Sequence, residues 1–131
     1  MPICKELIAI IVLDMLADGC LLEGLIVVWS FDGFNDEQDW ANLRVGDVVV
    51  SRGVVAFAFG RRARGEASKT WSNQGMMACL ALVGYVVAGM AKGVGHNGLI
   101  FPIATSRFRT TWWRILHRRR RSSWREAARC R

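Results

Sequence analysis

Histidine, cysteine and acidic side chains could support catalysis or metal binding in this chain, but their spacing favours neither. His96 has no serine, cysteine or acid near it in sequence that could complete a nucleophile and base pair. The four cysteines are scattered, with no C-x-x-C pair and no histidine at a metal-ligand spacing. We therefore expect no enzyme activity, no metal site, no cofactor and no small-molecule substrate.

Two segments resemble ligand-binding motifs but lack part of the required context. Residues Gly93 to Gly98 match the dinucleotide pattern G-x-G-x-x-G, yet Pro102 follows within four residues, where the motif requires a helix, and the next acid is Glu126. The acidic run from Asp32 to Asp39 lacks the distal bidentate glutamate of a calcium loop. These patterns predict a glycine-rich turn and a solvated acidic loop.

The C-terminal tail carries the residue types best suited to binding an anionic partner. Placed on a helix, Thr111 to Arg129 segregates most apolar side chains from the arginines, as an interfacial helix requires. Tryptophan rings would lie at the headgroup level while guanidinium groups pair with lipid phosphates. The same residue types suit nucleic acid, because arginine neutralises phosphate and tryptophan stacks on unpaired bases. The predicted contact residues are Trp112, Trp113, Arg114, Arg118, Arg121, Trp124, Arg125 and Arg129.

Charge divides the 131-residue chain, whose length suits one domain, into an acidic and a basic end. Residues 1–50 hold nine acids against two basic residues, a balance of −7. The last 27 residues hold ten arginines and one acid, a balance of +9. This distribution predicts that the basic end meets an anionic partner while the acidic end repels it.

The elements before the tail are predicted from hydrophobic patterning and turn residues. Residues 1–59 form an acidic α+β region: a buried helix over 3–17, a turn at Asp18-Gly19, and a strand or second short helix over 21–31. Runs over 45–50 and 54–59 flank a glycine-containing turn and predict a β-hairpin. Residues 60–69 are a basic linker.

Residues 70–91 lack any charge and form the candidate transmembrane helix. Small residues at four-residue spacing would let another helix approach closely and favour self-association; they are Gly84, Ala88, Gly89 and Gly93. The alternative is a buried core helix, or two strands broken at Gly84. Residues 92–105 are a glycine-rich turn and a short apolar segment, and 106–131 the Arg/Trp-rich tail. The predicted fold class is thus mostly α with a small β-hairpin, a candidate transmembrane helix and a basic amphipathic C-terminal helix.

The leading functional hypothesis is a small accessory membrane protein that binds anionic bilayers, self-associates through its small residues and keeps its C-terminus cytosolic. An alternative from another class is a soluble nucleic-acid-binding protein, nuclear or cytoplasmic, that uses the arginine-rich arm. The tail could also be a disordered basic segment. A further alternative is the product of an overlapping or newly arisen reading frame with no evolved function, because tryptophan and arginine are abundant while lysine and proline are scarce.

Overall fold

Helices make up most of the structure, and a three-stranded antiparallel sheet lies between them in sequence. The computed structural model describes residues 5–33, 35–59, 65 and 74–129, with the side chains of 59, 74 and 123–129 excepted. Within this part, the helices are α1 (Lys5–Ala17), α2 (Leu21–Gly33), α3 (Glu37–Asn42), α4 (Ala81–Met90) and α5 (Thr105–Arg129). The strands are β1 (Val48–Ser51), β2 (Val54–Phe59) and β3 (Gln74–Met77). The predicted mostly helical class with a small antiparallel hairpin is confirmed.

The chain divides into two units, which we call the helical unit and the sheet unit. The helical unit comprises residues 1–27 and 103–131, and the sheet unit comprises residues 28–102. Helix α2 passes from the first unit into the second, while α1 and α5 belong to the helical unit and contact each other there. The predicted linker over 60–69 lies outside the described residues except for Gly65.

Helix α1 ends where the sequence predicts a turn. Gly19 has φ +76°, the left-handed conformation that glycine adopts without strain. Its N–H donates to the Leu16 carbonyl at 3.0 Å, and the Cys20 N–H donates to the Met15 carbonyl at 2.8 Å. These two bonds form a Schellman motif, which satisfies carbonyls at the helix end. After this turn, residues 21–31 form a helix rather than a strand.

The β-hairpin of the sheet unit is confirmed, with one change in its boundaries. Strand β1 pairs with β2 from Val48 opposite Phe57 to Ser51 opposite Val54. Arg52 and Gly53 both have positive φ, at 48° and 77°, so the connection is a two-residue type I′ turn. Residues 45–47, predicted as strand, form a 3₁₀ turn.

Aromatic packing forms the centre of the sheet unit. The Trp29 ring meets Phe57 edge-on with centroids 5.4 Å apart, and Phe101 lies 5.7 Å from the same indole. Other buried apolar side chains of this unit are Trp40, Leu43, Val55, Val83, Val87 and Ile100. Ile100 and Phe101 lie after α4, so the segment that follows Gly93 packs on the same core.

The prediction of a single helix over residues 70–91 is wrong. Residues 74–77 form β3, which pairs antiparallel with β2, and of the described residues in this range only 81–90 are helical. Ten helical residues extend about 15 Å, half of the roughly 30 Å hydrocarbon core. No helix in the described part of the chain is both long enough and apolar enough to cross a membrane.

The acidic run over 32–39 caps two helices instead of forming a solvated loop. The Asp32 carboxylate accepts hydrogen bonds from the N–H groups of Cys79 and Leu80, both at 2.9 Å, just before α4 begins. Asp39 accepts from the N–H of Asp36 at 2.7 Å at the start of α3. Carboxylates in these positions satisfy free N–H groups and complement the positive end of the helix dipole.

Candidate functional site

Helix α5 is uninterrupted over 25 residues, from Thr105 to Arg129. Its sequence contains neither glycine nor proline, and Pro102 lies just outside its first turn. The predicted C-terminal helix is confirmed, and it begins six residues earlier than the predicted segment that starts at Thr111. The predicted contact residues therefore all lie on one continuous helix.

The inward side of α5 differs from the predicted apolar face. Thr111 and Ile115 are buried, although Ile115 falls outside the arc of apolar residues predicted from the sequence. Trp112 is half-buried and stacks on Phe108 with centroids 6.3 Å apart. Trp113, predicted on the apolar face, is 57% exposed. The buried face of α5 thus differs from the predicted one: it includes Ile115, whereas the Trp113 indole faces solvent.

Two acids on α1 and its C-terminal turn hold the arginines of α5. Arg118 donates to both carboxylate oxygens of Asp18, at 3.0 and 2.7 Å. Arg119 forms a similar two-bond pair with Asp14. The partner of the earlier acid lies later in α5, so the two helices run antiparallel. The acidic end of the chain therefore neutralises part of the basic end, instead of only repelling an external anion.

These pairs change the ionisation of the groups involved. Hydrogen bonding from Arg119 lowers the pKa of Asp14 below its ordinary value, and hydrogen bonding from Arg118 does the same to the pKa of Asp18. In return, Asp18 raises the pKa of Arg118. Both acids are consequently ionised at neutral pH, and the contacts are charge-assisted hydrogen bonds.

The remaining predicted contact residues differ in their surroundings. Arg114 lies 3.6 Å from an Asp18 oxygen and donates to the Cys20 sulfur at 3.4 Å. Arg121 is exposed and forms no ion pair with any side chain that the structure describes. Trp124, Arg125 and Arg129 belong to α5, but their side chains lie outside the described ones.

A row of aliphatic side chains on α1 is exposed, which the sequence did not predict. The row follows a three-residue spacing and consists of Leu7, Ile10, Leu13 and Leu16. Leu13, near its middle, is 63% exposed. Helix α1 was expected to be a buried helix with one polar stripe, but its buried residues are Ile8, Ile11 and Met15, and aliphatic side chains outside that stripe are exposed. The other three residues of the row are 37–41% exposed, so a partly exposed aliphatic row and a cationic helix occur in the same unit.

The small residues predicted for helix packing have different positions. Gly84 is buried, and an added Cβ would lie 2.9 Å from the Val55 Cβ, so its close approach is to β2 within the chain. Ala88 is half-buried. Gly89 faces open space, and Gly93, at φ +81°, ends the turn after α4. Of the three glycines, Gly89 and Gly93 have no atom within 4 Å of an added Cβ, whereas Gly84 packs within the chain.

Comparison of the chain with protein-family models, with curated proteins and with solved structures finds no match to any of them. The geometry of α1 and α5 is therefore the basis for proposing a function.

Proposed function

We propose that this chain binds the surface of anionic bilayers through its helical unit. The observation that carries the proposal is the exposed aliphatic row of α1 in the same unit as the arginines of α5. Stable attachment to a bilayer generally needs two signals, and an apolar row with a basic patch supplies both. The anionic leaflet of cells is the cytosolic one, so this function places the protein on that side.

The aliphatic row supports a membrane over a purely electrostatic partner. Four large apolar side chains on one helix cost free energy while they face water, and burial in the acyl boundary recovers it. The arginines contribute through attraction to lipid phosphates, with about 1 kcal/mol for each basic residue near an anionic surface. Binding at the bilayer surface requires no spanning helix, so this proposal replaces the predicted transmembrane helix over residues 70–91.

Vesicle flotation of the full chain tests this proposal with a matched pair of leucines. Leu13→Gln should weaken binding to phosphatidylcholine vesicles that contain phosphatidylserine by about ten-fold, because one aliphatic side chain no longer enters the bilayer. Leu82→Gln is the control, since Leu82 is 76% exposed on α4 of the sheet unit. Equal loss in both variants, or no loss with Leu13→Gln, would contradict the proposed surface.

The charge contribution needs a separate measurement. Arg121→Gln should weaken binding to anionic vesicles by about five-fold and leave weak binding to pure phosphatidylcholine unchanged. Added salt should reduce the difference between wild type and this variant, because screening weakens exposed charges. A loss that is the same on neutral and anionic vesicles would exclude headgroup attraction as its cause.

A second candidate function is binding of single-stranded nucleic acid, favoured by an exposed aromatic pair. The rings of Trp113 and His117 lie 6.0 Å apart on successive turns of α5, and both residues are exposed. A base can stack on such a platform while neighbouring arginines contact phosphate. Trp113→Leu should then lower the affinity for a fluorescent single-stranded oligonucleotide by about ten-fold. Unchanged anisotropy would exclude this mode.

A further inference from the structure

Helix α5 carries an open cavity whose described lining consists of hydrogen-bond donors and no carboxylate. Its volume is about 530 Å³, within the range of small-ligand sites. The lining residues recur at three- and four-residue spacing along the helix; they are Arg114, His117, Arg118, Arg121 and Ser122. The Ser122 hydroxyl already donates to the Arg119 carbonyl at 2.8 Å, so the donors toward a ligand are the guanidinium and imidazole groups.

Two of the three guanidinium groups are fixed before any ligand arrives. Arg118 is held by two hydrogen bonds to Asp18, and Arg114 by contacts with Asp18 and the Cys20 sulfur. His117 packs against the Trp113 ring. Arg118 and Arg114 are therefore already engaged with Asp18, and a ligand must share these donors with that carboxylate or displace it.

The charge of the cluster matches a dianion. Among the side chains that the structure describes, three arginines against the carboxylate of Asp18 leave a net charge of +2. A phosphomonoester carries close to −2 near neutral pH, and its three terminal oxygens can accept paired hydrogen bonds from guanidinium groups. A phosphodiester or a carboxylate carries only one negative charge and would leave the cluster half neutralised.

We propose that this cavity binds a phosphomonoester group and that Asp18 competes with the ligand for Arg118 and Arg114. Of the three described arginines of the cavity, Arg121 can contact the ligand without breaking a described ion pair. The group could be free in solution or part of a lipid headgroup, and the lipid case rests on the proposed membrane function. The site itself does not depend on that function.

Calorimetric titration of the full chain with inorganic phosphate, at constant ionic strength, tests the site. Arg121→Gln should weaken binding by about five-fold, and Asp18→Asn should tighten it by about five-fold because Arg118 is released to the ligand. Arg52→Gln, which changes an exposed arginine of the sheet unit, should bind as wild type does. Loss of the fold would not tighten binding to a defined site, and circular dichroism of each variant checks that helix content is retained.

Absence of saturable heat with wild type would overturn the proposal, as would equal weakening by Arg121→Gln and Arg52→Gln. Unchanged or weakened binding by a folded Asp18→Asn would overturn the role of Asp18 as competitor.

Vesicles then distinguish the two sources of phosphate. Phosphatidylcholine vesicles with phosphatidic acid are compared with phosphatidylserine vesicles of equal surface charge. A preference for phosphatidic acid that Arg121→Gln removes assigns a lipid headgroup, whereas phosphate binding without that preference assigns a soluble phosphomonoester. Leu13→Gln should weaken vesicle binding while leaving phosphate affinity unchanged, so failure of the membrane function and failure of this site give different results.

Discussion

The sheet unit and the helical unit each bury apolar side chains, but they differ in the contacts that accompany this packing. In the sheet unit, aromatic rings of Trp29, Phe57 and Phe101 pack at the centre. In the helical unit, ion pairs lie along the contact of α1 with α5, and even the buried Glu23 is paired with Arg107. Apolar packing responds little to salt and pH, whereas exposed ion pairs respond to both.

From this difference we infer that the helical unit is the part of the molecule that binds a partner. The helical unit exposes cations and an aliphatic row at its surface, and its internal pairs can be exchanged for contacts with an external anion. In the sheet unit, Asp32 and Gly84 are both engaged in contacts within the fold, and the apolar side chains that this unit exposes, such as Leu82, have no paired arginines beside them in the described contacts. Substitutions in each unit can test this difference between the sheet unit and the helical unit.

The largest expected effect is on the aromatic core. Trp29→Ala should lower the free energy of unfolding by about 3–5 kcal/mol, because a fully buried indole leaves a cavity. Trp113→Ala, the matched substitution at an exposed indole, should change it by less than about 0.5 kcal/mol. Urea unfolding followed by circular dichroism measures both. Similar losses in the two variants would contradict the assignment of Trp113 to the surface.

The next effect concerns the buried acid of the helical unit. Glu23 is 1% exposed, and the Arg107 Nε donates to it at 3.0 Å. Arg107→Met should cost about 2 kcal/mol, because the carboxylate loses a charged partner while it stays buried. Combining it with Glu23→Leu should recover much of the loss, as measured by a double-mutant cycle. Additive losses would show that the pair is not coupled.

Two glycines on α4 should respond with opposite signs. Gly84→Ala should destabilise the protein by about 1 kcal/mol, since its Cβ would lie 2.8 Å from the Ala78 Cβ and 2.9 Å from the Val55 Cβ. Gly89→Ala should stabilise it by about 0.5 kcal/mol, because the added methyl meets open space and alanine favours a helix. Thermal unfolding compares them, and stabilisation by Gly84→Ala would argue against the packing of α4 on β2.

The smallest effect is the pH dependence of the ion pairs, which are exposed and screened. The pKa values of Asp14 and Asp18 are lowered in the folded chain, so their contribution is complete above the unfolded value of about 3.9 and is lost as pH falls through the folded values. The Asp14→Asn, Asp18→Asn double variant should therefore lose part of the acid sensitivity of thermal unfolding below about pH 4. Glu6→Gln is the control, and full retention of acid sensitivity in the double variant would contradict the role of these pairs.

Structural features that depend on residues adjacent in sequence could be predicted from the sequence. Gly19 marks the end of α1, and Arg52-Gly53 marks the hairpin turn, because both depend on local backbone conformation. The start of α4 could not be predicted, since the carboxylate that caps it lies 47 residues before Cys79. Strand β3 was missed for a related reason: it is stabilised by backbone pairing with β2, which leaves no periodic pattern in an apolar sequence.

The candidate site could be predicted only in part. Arg114, Arg118 and Arg121 were identified from charge and helical spacing, and the cavity includes all three. Their pairing with Asp14 and Asp18 could not be foreseen, because it depends on how α5 is rotated against α1. The aliphatic row was missed for the same reason, since apolar periodicity does not reveal which side of a helix its partner covers.

Hydrogen exchange of the full chain, with and without anionic vesicles, tests most directly whether the helical unit is the membrane-binding part. If the helical unit binds the bilayer, we expect slower exchange in α1 and α5 when vesicles containing phosphatidylserine are added. Exchange in β1, β2 and α4 should stay unchanged. Slower exchange in α4, without slower exchange in α1, would contradict this proposal. It would assign the membrane contact to the apolar segment over residues 81–90 instead.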